Sequence, residues 1–242
     1  PVADAAVVIR GALIVFAGPR SRVTITAEAE TLNVGGATIL PGFVNAHVHN
    51  AYSSVNLQAW AGQGVTTVRD EGILATGVTL TDLIIQRDTG WSGPRFARLV
   101  SAGWMLTGPG GYGRVRLATV EEARERVYAD LDRGADLVKV AIEDRTIGTT
   151  EYQVIPTDIL QAVVGAAHER HRRVSIHVTD ARFLQAAVDA GADDISHTQW
   201  DPVADAVLHR MVARGIPLVP TLTVFAATGA LTQAQANLRR FL

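Results

Sequence analysis

One phrase recurs three times along this chain and constrains its fold more than any other feature. A helix-patterned stretch is followed by Gly-Ala-Asp or Gly-Ile-Pro, then by a short buried strand, at Gly134, Gly191 and Gly215. Glycine suits a helix end because it accepts left-handed backbone without a side-chain clash. Strands that alternate with helices in this way lie parallel and are covered by the helices, in an open doubly wound sheet or in a barrel.

Seven such strands are predicted: Gly42–Ala46, Val65–Arg69, Arg95–Ser101, Leu137–Ile142, Val174–His177, Asp194–Ser196 and Leu218–Pro220. A closed barrel of the common type needs eight. Thr223–Leu242 reads as a loop and a helix leading towards a strand that does not follow. The expectation is an α/β fold, a TIM-type (β/α)8 barrel over residues 40–242 that is incomplete and truncated before strand eight. Four helices are well marked. Thr119 and Glu122 form a capping box ahead of Ala123–Arg133, Thr157 caps Asp158–His171, Ala181–Ala190 stops at Gly191, and Pro202–Arg214 stops at Gly215.

The first forty residues read differently. Ala6–Arg10, Ala12–Ala17 and Arg22–Thr26 are β-branched segments broken by Gly11, Gly18 and Pro19. They predict part of a small β-sandwich over residues 1–39, with too few strands to close its own edges.

Composition removes several function classes. Lys plus Arg is 22 and Asp plus Glu is 24, a net charge of −2 that gives no general attraction to nucleic acid or an anionic membrane. There is no cysteine, so disulfides and thiolate metal sites are excluded, and any metal must be held by His, carboxylate or a modified Lys. No apolar run reaches the roughly 18 residues of a membrane span. Cytoplasm is the default location, although a chain that begins at Pro1 leaves room for a lost leader.

The seven histidines divide into two groups. His168, His171 and His209 lie in predicted helices among charged residues and read as solvated. His47, His49, His177 and His197 all fall at the C-terminal ends of predicted strands, the rim where barrel active sites form. His47 and His49 are two apart, so on an extended segment both side chains point to one face and can grip one cation. Lys139 lies among valines in a strand predicted to be covered on both faces. It either snorkels to the strand's end or is a buried lysine of depressed pKa that reacts with carbon dioxide to give a carbamate, an anionic oxygen ligand.

Pro41-Gly-Phe-Val-Asn-Ala-His47-Val-His49 resembles the entry motif of the amidohydrolase superfamily. Gly64-Val-Thr-Thr-Val-Arg-Asp70 is similar to its second barrel strand, and Gly134-Ala-Asp-Leu-Val-Lys139 to its fourth, with the carboxylated lysine. Val174-Ser-Ile-His177 and Asp194-Ile-Ser-His197 resemble strands five and six with their metal histidines. Pro94-Arg-Phe, Ser101-Ala-Gly and Thr107-Gly-Pro-Gly-Gly are similar to the third strand and Gly-rich loop of the imidazolonepropionase-like group, which includes Xaa-Pro dipeptidases.

The resemblance implies metal-dependent hydrolysis of an amide (C–N) bond in a small molecule such as a dipeptide, N-acyl amino acid or cyclic amide. It implies two divalent ions, most often zinc, with a bridging hydroxide as nucleophile. His47, His49 and the Lys139 carbamate would hold one ion, and the carbamate, His177 and His197 the other. Lys139, His177 and His197 thereby become the catalytic set. The strand-eight Asp that shuttles the proton in that superfamily has no counterpart here, so the chain reads as an excerpt of a longer protein. The alternative is a non-catalytic scaffold, or a split enzyme completed by a second, C-terminal chain; a homo-oligomer also stays open.

Five further residues are candidates for substrate contact. Tyr52 follows the His pair, as does Asn50, and either faces substrate or serves packing and capping. Trp104, Tyr112 and Arg114 flank the stretch Gly108–Gly113, where a loop could fold over the site and bind a carboxylate. Asp70 and Glu71, at the rim end of strand two, suit a hydrogen-bonding role behind the ligands.

Overall fold

The computed structural model describes residues 1–74, 76–145 and 150–242. The chain divides into two compact units, Pro1–Pro41 and Gly42–Leu242.

The first unit is built on an antiparallel hairpin of β1 (Ala5–Arg10) and β2 (Leu13–Pro19), with a bulge between Val8 and Ile9. Gly11, at φ +59°, supplies the left-handed residue its tight turn needs. The segment Arg22–Thr26, expected as a third strand, is not one. A single 3-10 turn spans Arg20–Arg22, and irregular chain follows to Pro41. β-Branched composition does not make a strand without an edge to pair with. Among the described residues the strands of this unit are those of one hairpin.

In the second unit every ladder between named strands is parallel. β3 (Phe43–Val48), β4 (Val65–Asp70) and β5 (Arg98–Ser101) form one sheet in that order. β6 (Met105–Thr107), β7 (Val115–Arg116), β8 (Val138–Ala141), β9 (Val174–His177), β10 (Asp194–Ser196) and β11 (Leu218–Val219) form a second, ordered β11-β10-β9-β8-β6-β7. The break has a local cause. Gly103 at φ +66° turns the chain after Ser101, so the next segment leaves β4 and pairs with β8, Met105 opposite Lys139. The Asp136 N–H donates to the Ser101 carbonyl at 2.7 Å and the Ile73 N–H to that of Gly103 at 2.9 Å, which joins the two sheets into one wall.

Side chains of the two sheets meet, since Arg69 of β4 reaches Asp194 of β10 at 2.7 Å. Among the described residues no ladder links β3 to β11. The fold is thus α/β with parallel sheets, and the nine strands lie in two sheets where one series of seven was expected. β6 and β7 are the additions.

Helices α1 (Ser54–Gly62), α2 (Leu80–Gly90), α3 (Val120–Asp132), α4 (Thr157–Glu169), α5 (Ala181–Ala190), α6 (Asp205–Arg214), α7 (Leu222–Ala226) and α8 (Leu231–Phe241) connect and follow the strands. The main apolar core lies between the six-stranded sheet and α3 to α6, with Val140, Val163, Ile176, Leu184 and Ile195 sealed in it. The capping box is present. Thr119 Oγ1 accepts from the Glu122 N–H at 3.1 Å, and Glu122 accepts from the Ala118 N–H at 2.8 Å. Thr157 is not a cap: Pro156 takes the N-cap position in extended conformation, and Thr157 is the first helical residue. α6 begins at Asp205 rather than Pro202. Among the described residues no helix is long and apolar enough to cross a membrane.

Candidate active site

A cleft of about 610 Å3 opens in the second unit, lined by His47, His49, Lys139, His177 and His197 together with Asn45, Met105, Tyr112, Thr179, Val219, Thr221 and Val224. The four histidines singled out by position are therefore neighbours in space. Ring centroids are 5.3 Å apart for His47 and His49, 4.7 Å for His47 and His197, and 4.5 Å for His177 and His197.

Two of the rings, those of His49 and His197, are fixed by hydrogen bonds. His49 donates Nδ1–H to the Gly72 carbonyl at 2.9 Å, which leaves the Nε2 lone pair free. Gly72 is itself held by Asp70, whose Oδ1 accepts its N–H at 3.0 Å while Oδ2 accepts that of Ala51 at 2.9 Å. Asp70 thus clamps the segment after β3 to the segment after β4. Burial, first of all, raises its carboxyl to about 6. His197 sits at φ +76°, a left-handed backbone uncommon outside glycine, and its Nδ1 lies 2.7 Å from Thr221 Oγ1.

Three of the imidazoles are kept neutral. Burial is the main cause that lowers His47, His177 and His197 below the ordinary histidine range, and the nearby Lys139 ammonium adds to it. Neutral rings present lone pairs, the form in which histidine binds a metal. Among the described residues, His47 Nδ1 and His177 Nε2 are buried without a hydrogen-bond partner.

Lys139 is the chain's only lysine; the other 21 basic residues are arginine. Arginine cannot shed its charge in a protein, whereas a buried lysine can. Lys139 does not snorkel: only 1% of it is exposed, and burial, opposed by Glu71, lowers its pKa. Its ammonium stands 3.0 Å from Glu71 Oε2 and also donates to Ser175 and Ser196. Arg69 holds the other Glu71 oxygen at 2.5 Å and grips Asp194 with two nitrogens at 2.7 and 3.2 Å. Two cations and two anions thereby balance beneath the cleft.

Among the described residues no three His, Asp or Glu side chains are gathered to hold one ion as they stand. The donors nonetheless fit a divalent ion of zinc's kind in their chemistry: four imidazoles, two of them with an orphaned nitrogen, around a buried amine.

Of the residues expected to touch substrate, only Tyr112 lines the cleft, its ring 4.7 Å from that of His177. Tyr52 turns away into the cluster of Val48, Leu57 and Trp91 and hydrogen-bonds Ser101. Its aromatic body finds an apolar core there, and its hydroxyl a partner. Trp104 packs on Ile73, Leu80 and Leu83, where its large apolar surface is covered. Arg114 is exposed and donates to the Leu74 carbonyl, outside the cleft.

The sequence reading missed Glu143 and Thr179. Thr179 Oγ1 and N–H both bond the Glu143 carboxylate, which lies 3.5 Å from His177 Nε2. Glu143 is four residues beyond Lys139, on the same face by the two-residue period of an extended chain, and that spacing was its available signal.

Comparison with known proteins shows the family of the chain. The sequence model of the amidohydrolase family matches residues 38–238. Ochratoxinase of Aspergillus niger is 27% identical over 201 residues, 78% of this chain and 41% of that protein. Imidazolonepropionase of Deinococcus radiodurans is 29% identical over 119 residues, 46% of this chain and 29% of that protein. The chain thus spans less than half the length of these curated relatives. Among solved structures, a prolidase complexed with N-methylphosphonate-L-proline superposes with a TM-score of 0.72 at 23% identity, covering 97% of this chain and 68% of that one. The structure of A. niger ochratoxinase gives 0.69 at 18% identity, covering 98% and 67%. At these identities the likeness to the solved structures is one of fold, and the match over residues 38–238 carries the assignment: the chain belongs to the amidohydrolase family.

Proposed function

We propose that this cleft hydrolyses an amide bond of a small molecule, such as a dipeptide, an N-acyl amino acid or a cyclic amide, with two divalent ions, zinc foremost. The observation that carries the reading is the convergence of four histidines, three of them held neutral by burial, and the only lysine on one cleft. His47 and His49 would hold one ion, His177 and His197 the other, and a carboxylated Lys139 would join them. Bound there, the ions supply Lewis-acid polarisation of the scissile carbonyl and a water of lowered pKa.

The chain's own residues do the rest. Gly72 fixes the His49 ring so that Nε2 faces the cleft, and Thr221 steadies His197. Carboxylation frees Lys139 from its ion pair, and Glu71 then stays with Arg69, which already holds its other oxygen. Tyr112, Met105, Val219 and Val224 give the cleft an apolar wall on which the body of a substrate can lie.

The test is a panel of dipeptides, N-acyl amino acids and cyclic amides, assayed with chelator-stripped protein before and after zinc or manganese is restored. Chelator-sensitive turnover of one class is expected. No turnover of any class by metal-loaded protein would overturn the reading in favour of a scaffold, or of an enzyme that needs a second chain.

A further inference from the structure

We propose that Glu143 is a positioning residue for His177: its carboxylate takes the Nε2–H of the imidazole and leaves the Nδ1 lone pair for the cleft. The parallel ladder puts Ala141 opposite His177, and the Ile142 N–H donates to the His177 carbonyl at 2.9 Å. Two residues further along, Glu143 therefore comes level with Thr179, beside the His177 ring. Thr179 grips Glu143 Oε2 through both its backbone N–H and its hydroxyl, which fixes the carboxylate against the edge of the imidazole.

Glu143 is 1% exposed, and its one ion-pair contact among the described residues is His177. A buried carboxylate without a lysine or arginine has to be explained by what it holds. Among the described residues, His177 Nε2 is buried with no hydrogen-bond partner. A lone pair at that nitrogen would point at a carboxylate, whereas a proton there is attracted to it, so the pairing selects the Nε2–H tautomer. The separation of 3.5 Å is longer than a formed hydrogen bond, and a ring shift of about half an ångström closes it. Tyr112 and His197 pack beside the ring, with centroids at 4.7 and 4.5 Å.

The role of Nδ1 as a metal donor rests on the proposed function; the tautomer does not. The experiment is therefore run first on metal-free protein carrying 15N-labelled histidine, at pH 8, with the His177 signals identified by their loss in His177→Gln. Wild type is expected to show the Nε2–H tautomer at His177. Glu143→Gln keeps an acceptor oxygen and should preserve it, and Glu143→Leu should shift the ring towards Nδ1–H. Zinc titration then reads the consequence. Glu143→Gln stays near wild type, and Glu143→Leu binds about 10- to 100-fold more weakly.

An Nδ1–H tautomer in wild type, or an unchanged tautomer in a folded Glu143→Leu, overturns the proposal. If Glu143→Leu does not fold, the wild-type spectrum decides alone. The expected tautomer in a protein that binds no zinc would leave this inference standing and remove the proposed function instead.

Discussion

The Lys139 ammonium stands 3.0 Å from the Glu71 carboxylate, and 1% or less of either residue reaches solvent. The pair continues through Arg69 to Asp194, so charge balances in a region that water does not screen. Removing one member leaves its partner buried and uncompensated, which costs far more than the intact pair contributes.

Glu71→Gln should therefore destabilise the protein by about 3 kcal/mol, and Lys139→Met by a comparable amount. The double variant should lose clearly less than the two single losses together, because it leaves no unpaired charge. Urea denaturation of the four proteins checks this, and strict additivity would show that the two groups do not interact.

Glu143 should lower the stability of the metal-free protein as pH rises from 5 to 7.5, against the opposite contribution of the buried His47, His177 and His197. Burial, the largest cause, raises the Glu143 carboxyl from 4.5 to about 7 in the folded chain. Between those values the folded state holds a proton that the unfolded state has released. The contribution is thus fully present below about 4.5 and lost as pH climbs through 7, a change of about 3 kcal/mol. The stability difference between wild type and Glu143→Gln, taken from denaturation curves across the range, isolates that contribution and should move against wild type as pH rises.

Tyr112 should prove the substrate contact that Tyr52 and Arg114 are not. Tyr112→Ala is expected to raise KM about tenfold with a smaller effect on kcat, while Tyr52→Phe and Arg114→Ala leave KM near wild type. Gly111→Ala should mimic the Tyr112 loss. A Cβ there would stand 2.1 Å from Thr107 Oγ1 and 3.1 Å from two carbonyl oxygens, so the loop carrying Tyr112 must shift. Steady-state kinetics on the best substrate of the panel decides.

Thr119→Ala removes the acceptor for the Glu122 N–H and should cost about 1 kcal/mol of stability. Zinc uptake should not change, since α3 contributes no residue to the cleft. Thermal unfolding and a zinc titration on the same sample separate the two effects.

Much of this was legible because its signals are local. Helix ends at Gly191 and Gly215, both in left-handed backbone, were written in the sequence, as was the capping box of α3. The four histidines were found because strand ends of a parallel sheet share one rim. What stayed hidden depends on partners distant in sequence. The split between β5 and β6 follows from a turn at Gly103 that periodicity does not register. Arg22–Thr26 has strand composition but no edge to pair with. Tyr52, adjacent to the His pair, was drawn into the core by Ser101, forty-nine residues away. Glu143 lay in view four residues after Lys139, but only the ladder between β8 and β9 shows which ring it meets.

The central claim, a metal centre built from these four histidines and Lys139, is tested most directly by counting zinc bound per chain in purified protein after dialysis against a zinc buffer. About two ions per chain are predicted for wild type, with most of the metal lost in Lys139→Ala and partly restored by a short carboxylic acid. A folded wild type that retains no zinc, or a Lys139→Ala that retains all of it, would contradict the account.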